Sequence, residues 1–471
     1  MNKINKLWDF RSFGNKIAVK DDLGVQFTYN ELAEEGDALF QKIGKRTLVF
    51  CLCQNTTGMV LGYTSFINNH VVPLMLSESI DKNFLDNLLN IYKPSYIWIP
   101  NERRNEFNSL EIVYDSFGYS LLKTRYETEH KLYEELCLLI QTSGSTGSPK
   151  LVRLSYDNVS SNAISGIPLY GDFDLSTVLN LPMNYVYTLA VLNINLMVGA
   201  KVHPTRKSIL QKEFWEFIRE NGVNEIHGVP NIYEMLMRLN LDKMDLPKFE
   251  IMTQSGGKMS YALSEKLANY AISHNIRLLV LYGQSEATAI LGYLNEDMVI
   301  DKCGSIGKPL EGSEYSLIDE YGNKITKSGV SGELVFKGPG VGLGYANCSE
   351  DLSKGDEFGG ILYTGDIAYF DDDGYYYIVG RKKRFLKLHG KRVSLDEIEE
   401  IIKGAFPDID CATSGKDDEM HVYITNNNLV DEVINYVSKI TNIYHGAFRV
   451  ITIDKIPRNL SGKTLYSELP E

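Results

Sequence analysis

Nowhere in this sequence do about 18 uncharged apolar residues follow one another, the length that a membrane-crossing helix needs. The start, Met1-Asn-Lys-Ile-Asn-Lys-Leu-Trp8, carries two lysines but no apolar run behind them, so neither a secretory leader nor a membrane span is expected. Positive charge is in deficit. The 48 Lys and Arg residues face 61 Asp and Glu, a formal charge of -13, which repels nucleic acid and anionic membranes unless cations are gathered locally. Cysteines are few and scattered. Of the six, only Cys51 and Cys53 are close, inside a Val-Phe-Cys-Leu-Cys run where alternate strand positions favour small buried hydrophobes over a metal pair. No disulfide framework is expected, and a cytoplasmic location fits best. Short repeats and low-complexity linkers are absent as well.

At 471 residues the chain exceeds the roughly 250 to 300 at which one hydrophobic core stops growing, so at least two domains are expected. From about residue 21 to 120, β-rich runs such as Arg46 to Cys53 and Ser95 to Ile99 alternate with helical stretches such as Tyr29 to Ile43 and Ile80 to Ile91, the rhythm of βαβ units and a parallel sheet. It returns with candidate strands at Thr177 to Leu181, Lys201 to His203, Glu225 to Gly228, Glu250 to Gln254 and Arg277 to Leu281. After about Gly304 the texture changes to short strands broken by glycine turns, with Asp371-Asp-Asp-Gly374 as a hairpin signal. Then comes Gly380-Arg-Lys-Lys-Arg-Phe-Leu-Lys-Leu-His-Gly-Lys-Arg392, seven basic residues in thirteen. A domain boundary is expected there, with a small α+β module behind it. The fold class is α/β: a large N-terminal domain of layered α/β sheets with a β-rich subdomain, residues 1–381, and a small C-terminal α+β domain, residues 382–471.

The segment Leu138-Leu-Ile-Gln-Thr-Ser-Gly-Ser-Thr-Gly-Ser-Pro-Lys150 is an apolar strand entering a Gly/Ser/Thr loop that ends in a lysine. Backbone N–H groups and hydroxyls of such a loop can wrap phosphate oxygens while the lysine adds a full charge. It is not a G-x-x-x-x-G-K-[ST] P-loop, because the spacing differs and Pro149 precedes the lysine. Taken alone, such a loop is as often a connector. Asp366, after Tyr363-Thr-Gly365, can accept both hydroxyls of a ribose, and Arg381 is near enough in sequence to join it across a hairpin. A lone Asp after Gly is otherwise a turn former.

The loop at 138–150 resembles the phosphate-binding motif of the adenylate-forming superfamily, which includes acyl-CoA synthetases, luciferases and peptide-synthetase adenylation domains. Tyr282-Gly-Gln-Ser-Glu-Ala-Thr288 is similar to that family's aromatic-Gly-x-Thr-Glu motif, and Gly332 to Gly338, Gly344-Tyr345, Tyr363 to Asp366, Gly380-Arg381 and Asn459-Leu-Ser-Gly-Lys463 continue its series in order over nearly the whole chain. The resemblance implies an acid–thiol ligase that uses ATP and Mg²⁺ to turn a small carboxylic acid into an acyl-adenylate. The acceptor thiol would be coenzyme A or the phosphopantetheine of a separate acyl carrier protein. It further implies an ATP site of Thr142, Ser143, Gly144, Ser145, Thr146, Gly147, Lys150, Gly257, Tyr282, Gly283, Ser285, Asp366 and Arg381, with Tyr282 stacked on adenine and Mg²⁺ on Glu286 and Thr146. Lys463 becomes the catalytic lysine, acting with Glu286. The resemblance also makes the small domain a mobile lid with its hinge at Lys383, two positions after Arg381, and sets Gly390 beside the thiol tunnel.

In the resembling amino-acid adenylation domains an aspartate holds the substrate ammonium, and the corresponding region here reads Tyr185-Val-Tyr-Thr188. Val186 cannot pair with an ammonium, so a free α-amino acid is disfavoured. Leu181-Pro-Met-Asn-Tyr185 resembles the Leu-Pro-Met-Phe-His motif of acyl- and aryl-CoA ligases, with Tyr185 in place of the gating histidine. Tyr185, His227, Ser255 and Gly256 are expected near the acyl pocket, His227 for proximity alone. The basic run has three readings: a solvated face, a nucleic-acid patch, or a hinge beside a phosphate site whose Lys382, Arg384, Lys387 and Lys391 meet coenzyme A or an acidic carrier. Two other readings of the chain stay open: an enzyme that passes the acyl group to an amine or hydroxyl, and a binder without turnover.

Overall fold

The computed structural model describes residues 6–126, 130–141, 150–171, 174–458 and 463–470, the side chains of Asp242 and Arg392 aside. Two large sheets build the N-terminal part. One has nine strands, with Arg277–Tyr282, Ile251–Gln254, Glu225–Gly228, Ser176–Leu179, Lys201–Pro204 and Ile17–Lys20 as successive parallel neighbours. The other has eight, with Leu136–Gln141, Val72–Ser77, Leu48–Cys53 and Tyr96–Pro100 parallel at its centre. Their faces share one apolar core across helices Thr57–Asn68 and Val186–Met197. Every residue of the first of these helices is buried. Both helices are buried on nearly every side, so neither shows the 3.6-residue apolar period of a surface helix, and the sequence pattern did not reveal them. Cys51 and Cys53 are buried on their strand, and all six cysteines are free thiols. Among the described residues no helix is long and apolar enough to cross a membrane.

Local chemistry sets the element ends. Helix Tyr29–Ile43 starts where Thr28 accepts from the Glu31 N–H and Glu31 reaches back to Thr28, and it stops at Gly44 in the left-handed region. A five-stranded antiparallel sheet follows, ordered Lys324–Ile325, Glu314–Ile318, Gly332–Lys337, Ile361–Phe370 and Tyr376–Arg381. The C-terminal module has its own core between hairpin Phe385–Leu388/Lys391–Ser394, helices Leu395–Ala405 and Val430–Thr441, and a three-stranded sheet. Its first strand begins four residues after Arg381, the last residue of the antiparallel sheet.

Much of the basic run is committed inside the protein. Lys382 pairs with Glu333 at 2.6 Å. Arg384 pairs with Asp396 and Glu399 at 2.5 and 2.7 Å, and its guanidinium lies 3.6 Å over the Tyr466 ring. Lys391 donates to the Thr441 and Asn442 carbonyls that end helix Val430–Thr441. Neither a solvated face nor a free phosphate patch describes Arg384.

Candidate active site

A cleft of about 950 Å³ opens between the nine-stranded sheet, the antiparallel sheet and the C-terminal module. Asp366 stands in it, only 3% exposed. It lies within strand Ile361–Phe370 rather than in a turn at the strand end, directly opposite Arg381 in register. Gly365 beside it takes φ +70° and the pairing shifts at Ile367/Ala368, an irregularity that aims the carboxyl into the cleft. Asp366 Oδ1 is 2.8 Å from Arg381 Nε, while Oδ2 accepts from the Tyr282 hydroxyl and from Gln284 Nε2 at 2.8 Å. Burial raises the Asp366 pKa despite these partners, of which Arg381 pulls down most.

Glu286 lies in the turn Ser285–Ala287, and its Oε1 accepts from the Tyr345 hydroxyl at 3.0 Å. The Lys150 ammonium stands 4.9 Å above the Tyr345 ring. This turn folds back tightly, with Thr288 and Ala289 both at positive φ. A Cβ on Gly283 would come within 1.3 Å of the Ala289 carbonyl oxygen. Gly283→Ala is therefore expected to lower stability by at least about 1–3 kcal/mol, and a chemical-denaturation midpoint no lower than that of the native chain would refute the close approach.

Lys463 reaches the cleft from the C-terminal module. The walls around it and the nearby Arg381 depress its pKa, while Glu286 and Asp366 pull the other way. Its side chain is nonetheless open to solvent, which screens these effects. Lys258 ties the two parts together, 2.9 Å from Glu400 and bonded to the Ile378 carbonyl.

Tyr185, Ser255, Gly256, Gly257, Tyr282, Gly283, Ser285, Glu286, Asp366, Arg381 and Lys463 all line this cleft. A Cβ on Gly256 would lie 2.4 Å from the Tyr185 hydroxyl, so glycine lets the ring close over that wall. His227 does not line the cleft. It is 2% exposed behind Tyr187, between the Thr177 and Thr253 hydroxyls at 2.7 Å each. Lys383 is exposed between the last strand of the antiparallel sheet and the first of the C-terminal module, and Gly390 turns the hairpin there at φ +83°. Thr142, Ser143, Gly144, Ser145, Thr146 and Gly147 lie outside the described residues. Gln284 and Tyr345, which hold Asp366 and Glu286, were not expected. Both sit within motifs already noted, and their side-chain directions were the missing information.

Residues 8–346 match the AMP-binding enzyme family. The 2-succinylbenzoate–CoA ligase of Bacillus cytotoxicus is 28% identical over 344 residues, covering 71% of this chain and 70% of that protein. The oxalate–CoA ligase of Arabidopsis thaliana is 28% identical over 344 residues, covering 69% and 65%. Among solved structures, the o-succinylbenzoate CoA synthetase of Bacillus subtilis with its acyl-adenylate superposes with a TM-score of 0.81 at 20% identity, covering 99% of this chain and 98% of that one. An amide bond synthetase from Marinactinospora thermotolerans superposes at 0.79 and 18% identity, covering 97% and 96%.

Proposed function

The chain belongs to the AMP-binding enzyme family, and from that premise we propose that it activates a carboxylic acid with ATP and passes the acyl group to a thiol. One observation carries the reading: Lys463 of the small module meets Asp366, Arg381 and Glu286 of the large domain in one cleft. Asp366 accepts the ribose hydroxyls, with Arg381 balancing its charge. Tyr282 and the Gly256–Gly257 backbone flank the adenine. Lys150 and the loop before it hold the phosphates. The acid's carboxylate attacks the α-phosphorus, the bond to the β-phosphate breaks, and pyrophosphate leaves. Lys463 bridges the carboxylate and the α-phosphate as charge gathers there.

The oxygen donors available suit Mg²⁺, which takes one or two carboxylates and completes its shell with phosphates and water. Glu286 supplies a carboxylate in the cleft, and no cluster of three metal-binding side chains occurs among the described residues. Glu286, with Thr146, would hold the ion, which when bound neutralises the departing pyrophosphate. The lid, turning at Lys383, then exposes the adenylate carbonyl to the thiol, and AMP leaves. Coenzyme A is the preferred acceptor, since the ligases among the curated relatives are named for it. Free, mostly buried thiols fit a cytoplasmic setting. The amide bond synthetase likeness keeps an amine acceptor as a second reading.

Exchange of labelled pyrophosphate into ATP, run over fatty, aryl and dicarboxylic acids, tests the first half-reaction. Exchange with one acid class is expected, and amino acids are expected to be inert. Product analysis with coenzyme A against amines then separates the acceptors. Silence across the panel would overturn the reading.

A further inference from the structure

Behind the cleft wall lies a carboxyl that no step above uses. Glu225, on strand Glu225–Gly228, is fully buried, where an unpaired carboxylate is costly. Its Oε2 accepts from Asn195 Nδ2 at 3.1 Å. Its Oε1 lies 3.3 Å from His227 Nε2 without a well-formed hydrogen bond, and the Thr177 and Tyr170 hydroxyls face the group. From Thr177, whose hydroxyl faces Glu225, hydrogen bonds run on to Tyr187 at the cleft. His227 Nε2 is 2.7 Å from Thr177 Oγ1, His227 Nδ1 is 2.7 Å from Thr253 Oγ1, and Thr253 Oγ1 bonds the hydroxyl of Tyr187, which lines the cleft. Every link can both give and take a hydrogen bond. Burial pushes the His227 pKa down to about 3, so the ring is neutral and carries one N–H.

We infer that Glu225 is a positioning residue of the acyl pocket: a proton on its carboxyl reverses the chain through Thr177, His227 and Thr253 and turns the Tyr187 O–H from the protein interior toward the bound acid. The inference rests on reading this cleft as an acyl site. With Glu225 ionised, every donor points inward: Tyr187 to Thr253, Thr253 to His227 Nδ1, His227 Nε2–H to Thr177, Thr177 to Glu225. Tyr187 then offers the acid only lone pairs. One solvent proton entering at Tyr187 moves each proton one link along. Thr253 takes the Tyr187 proton, Nδ1 takes that of Thr253, Thr177 takes that of Nε2, and Glu225 takes that of Thr177. Every bond is left reversed, and Tyr187 can donate to the acid.

The other titratable groups around Glu225 are Tyr170, Tyr187 and Tyr233, from the turn Ile167–Tyr170 and helices Val186–Met197 and Pro230–Arg238, and burial pushes all three upward. Burial also raises Glu225 to about 7, against the opposing pull of Asn195, Thr177 and Tyr170, so the reversal falls near neutral pH.

The test is the KM for the acid in pyrophosphate exchange at a series of pH values on both sides of 7, for the native chain, Glu225→Gln and Thr253→Val. The native KM is expected to change by about fivefold, the worth of one hydrogen bond, and both variants to give a flat profile with kcat retained. Melting temperature supplies a readout independent of activity. A Glu with a raised folded pKa loses stability as pH climbs from 4.5 to about 7. Glu225→Gln should therefore gain on the native chain across that window, while Thr253→Val, which keeps the carboxyl, should follow the native slope. A pH-dependent KM surviving in Thr253→Val, or a flat native KM, would overturn the inference while leaving the parent reading intact. No exchange at any pH would sink both.

Discussion

Lys463→Ala will cut carboxylate-dependent pyrophosphate exchange by about 10²- to 10³-fold or more, with ATP affinity and melting temperature nearly unchanged. Loss of one preorganised charge aimed at a developing oxyanion costs on the order of 3 kcal/mol, and Lys463 is one of the cations, with Arg384, Lys403 and Arg458, that the small module brings to the cleft where Asp366, Arg381 and Glu286 already stand. Because its side chain is open to solvent, little packing is lost on truncation. The defect is expected to be confined to adenylate formation: supplied with preformed acyl-adenylate and thiol, the variant should make thioester at close to the native rate. An active variant, or one equally slow in both half-reactions, would remove Lys463 from this role.

Asp366→Asn will raise the ATP dissociation constant by about 100-fold, two charge-assisted hydrogen bonds to a ribose being worth about 1.5–3 kcal/mol each and rarely additive, while the melting temperature stays level or rises. The two effects differ in sign because the carboxylate is held against its own solvation. Burial raises its folded pKa even with Arg381, Tyr282 and Gln284 around it. A raised acid binds protons more tightly when folded, so the ionised group subtracts stability as pH rises past its unfolded value of 3.8. The amide carries no charge to desolvate and keeps most of the shape. Thermal melts with and without ATP check both halves at once. A large fall in melting temperature with ATP affinity intact would mean that Asp366 serves the fold alone.

Where chemistry repeats along the chain, the sequence was readable. Helix Tyr29–Ile43 carries its own cap and stop signals, and Asp366 and Arg381 face each other as hairpin partners because the Asp-Gly turn at 371–374 sets their register. What escaped depended on surroundings. Val186–Met197 is apolar on nearly every face because it is buried between sheets, and an all-apolar helix has no period to detect. Asp366 was expected at a turn, since Gly365 marks a backbone departure without saying that a strand continues past it. In the basic run Lys382, Lys383, Lys387 and Lys391 are exposed, as a solvated face would have them, and Arg384 departs from that reading because its partners Asp396 and Glu399 come from another element. His227 was expected near the acyl pocket. Its place behind Tyr187 follows from Glu225 and His227 sharing one face of a buried strand, an i, i+2 polar pair that could have been noticed.

Arg381 has two allegiances. Its side chain pairs with the buried Asp366, while its backbone N–H, two residues before Lys383, donates to Asp396 of the small module at 3.0 Å. If the small module turns at Lys383 as proposed, Asp396 leaves that N–H, and the disturbance reaches the strand that holds Arg381 opposite Asp366. Nucleotide occupancy and module orientation would then be two readouts of one coordinate. A pair of dyes spanning this joint would make the protein an optical gauge of its own turnover, flagging bound adenylate and empty enzyme by a change in distance rather than by any product.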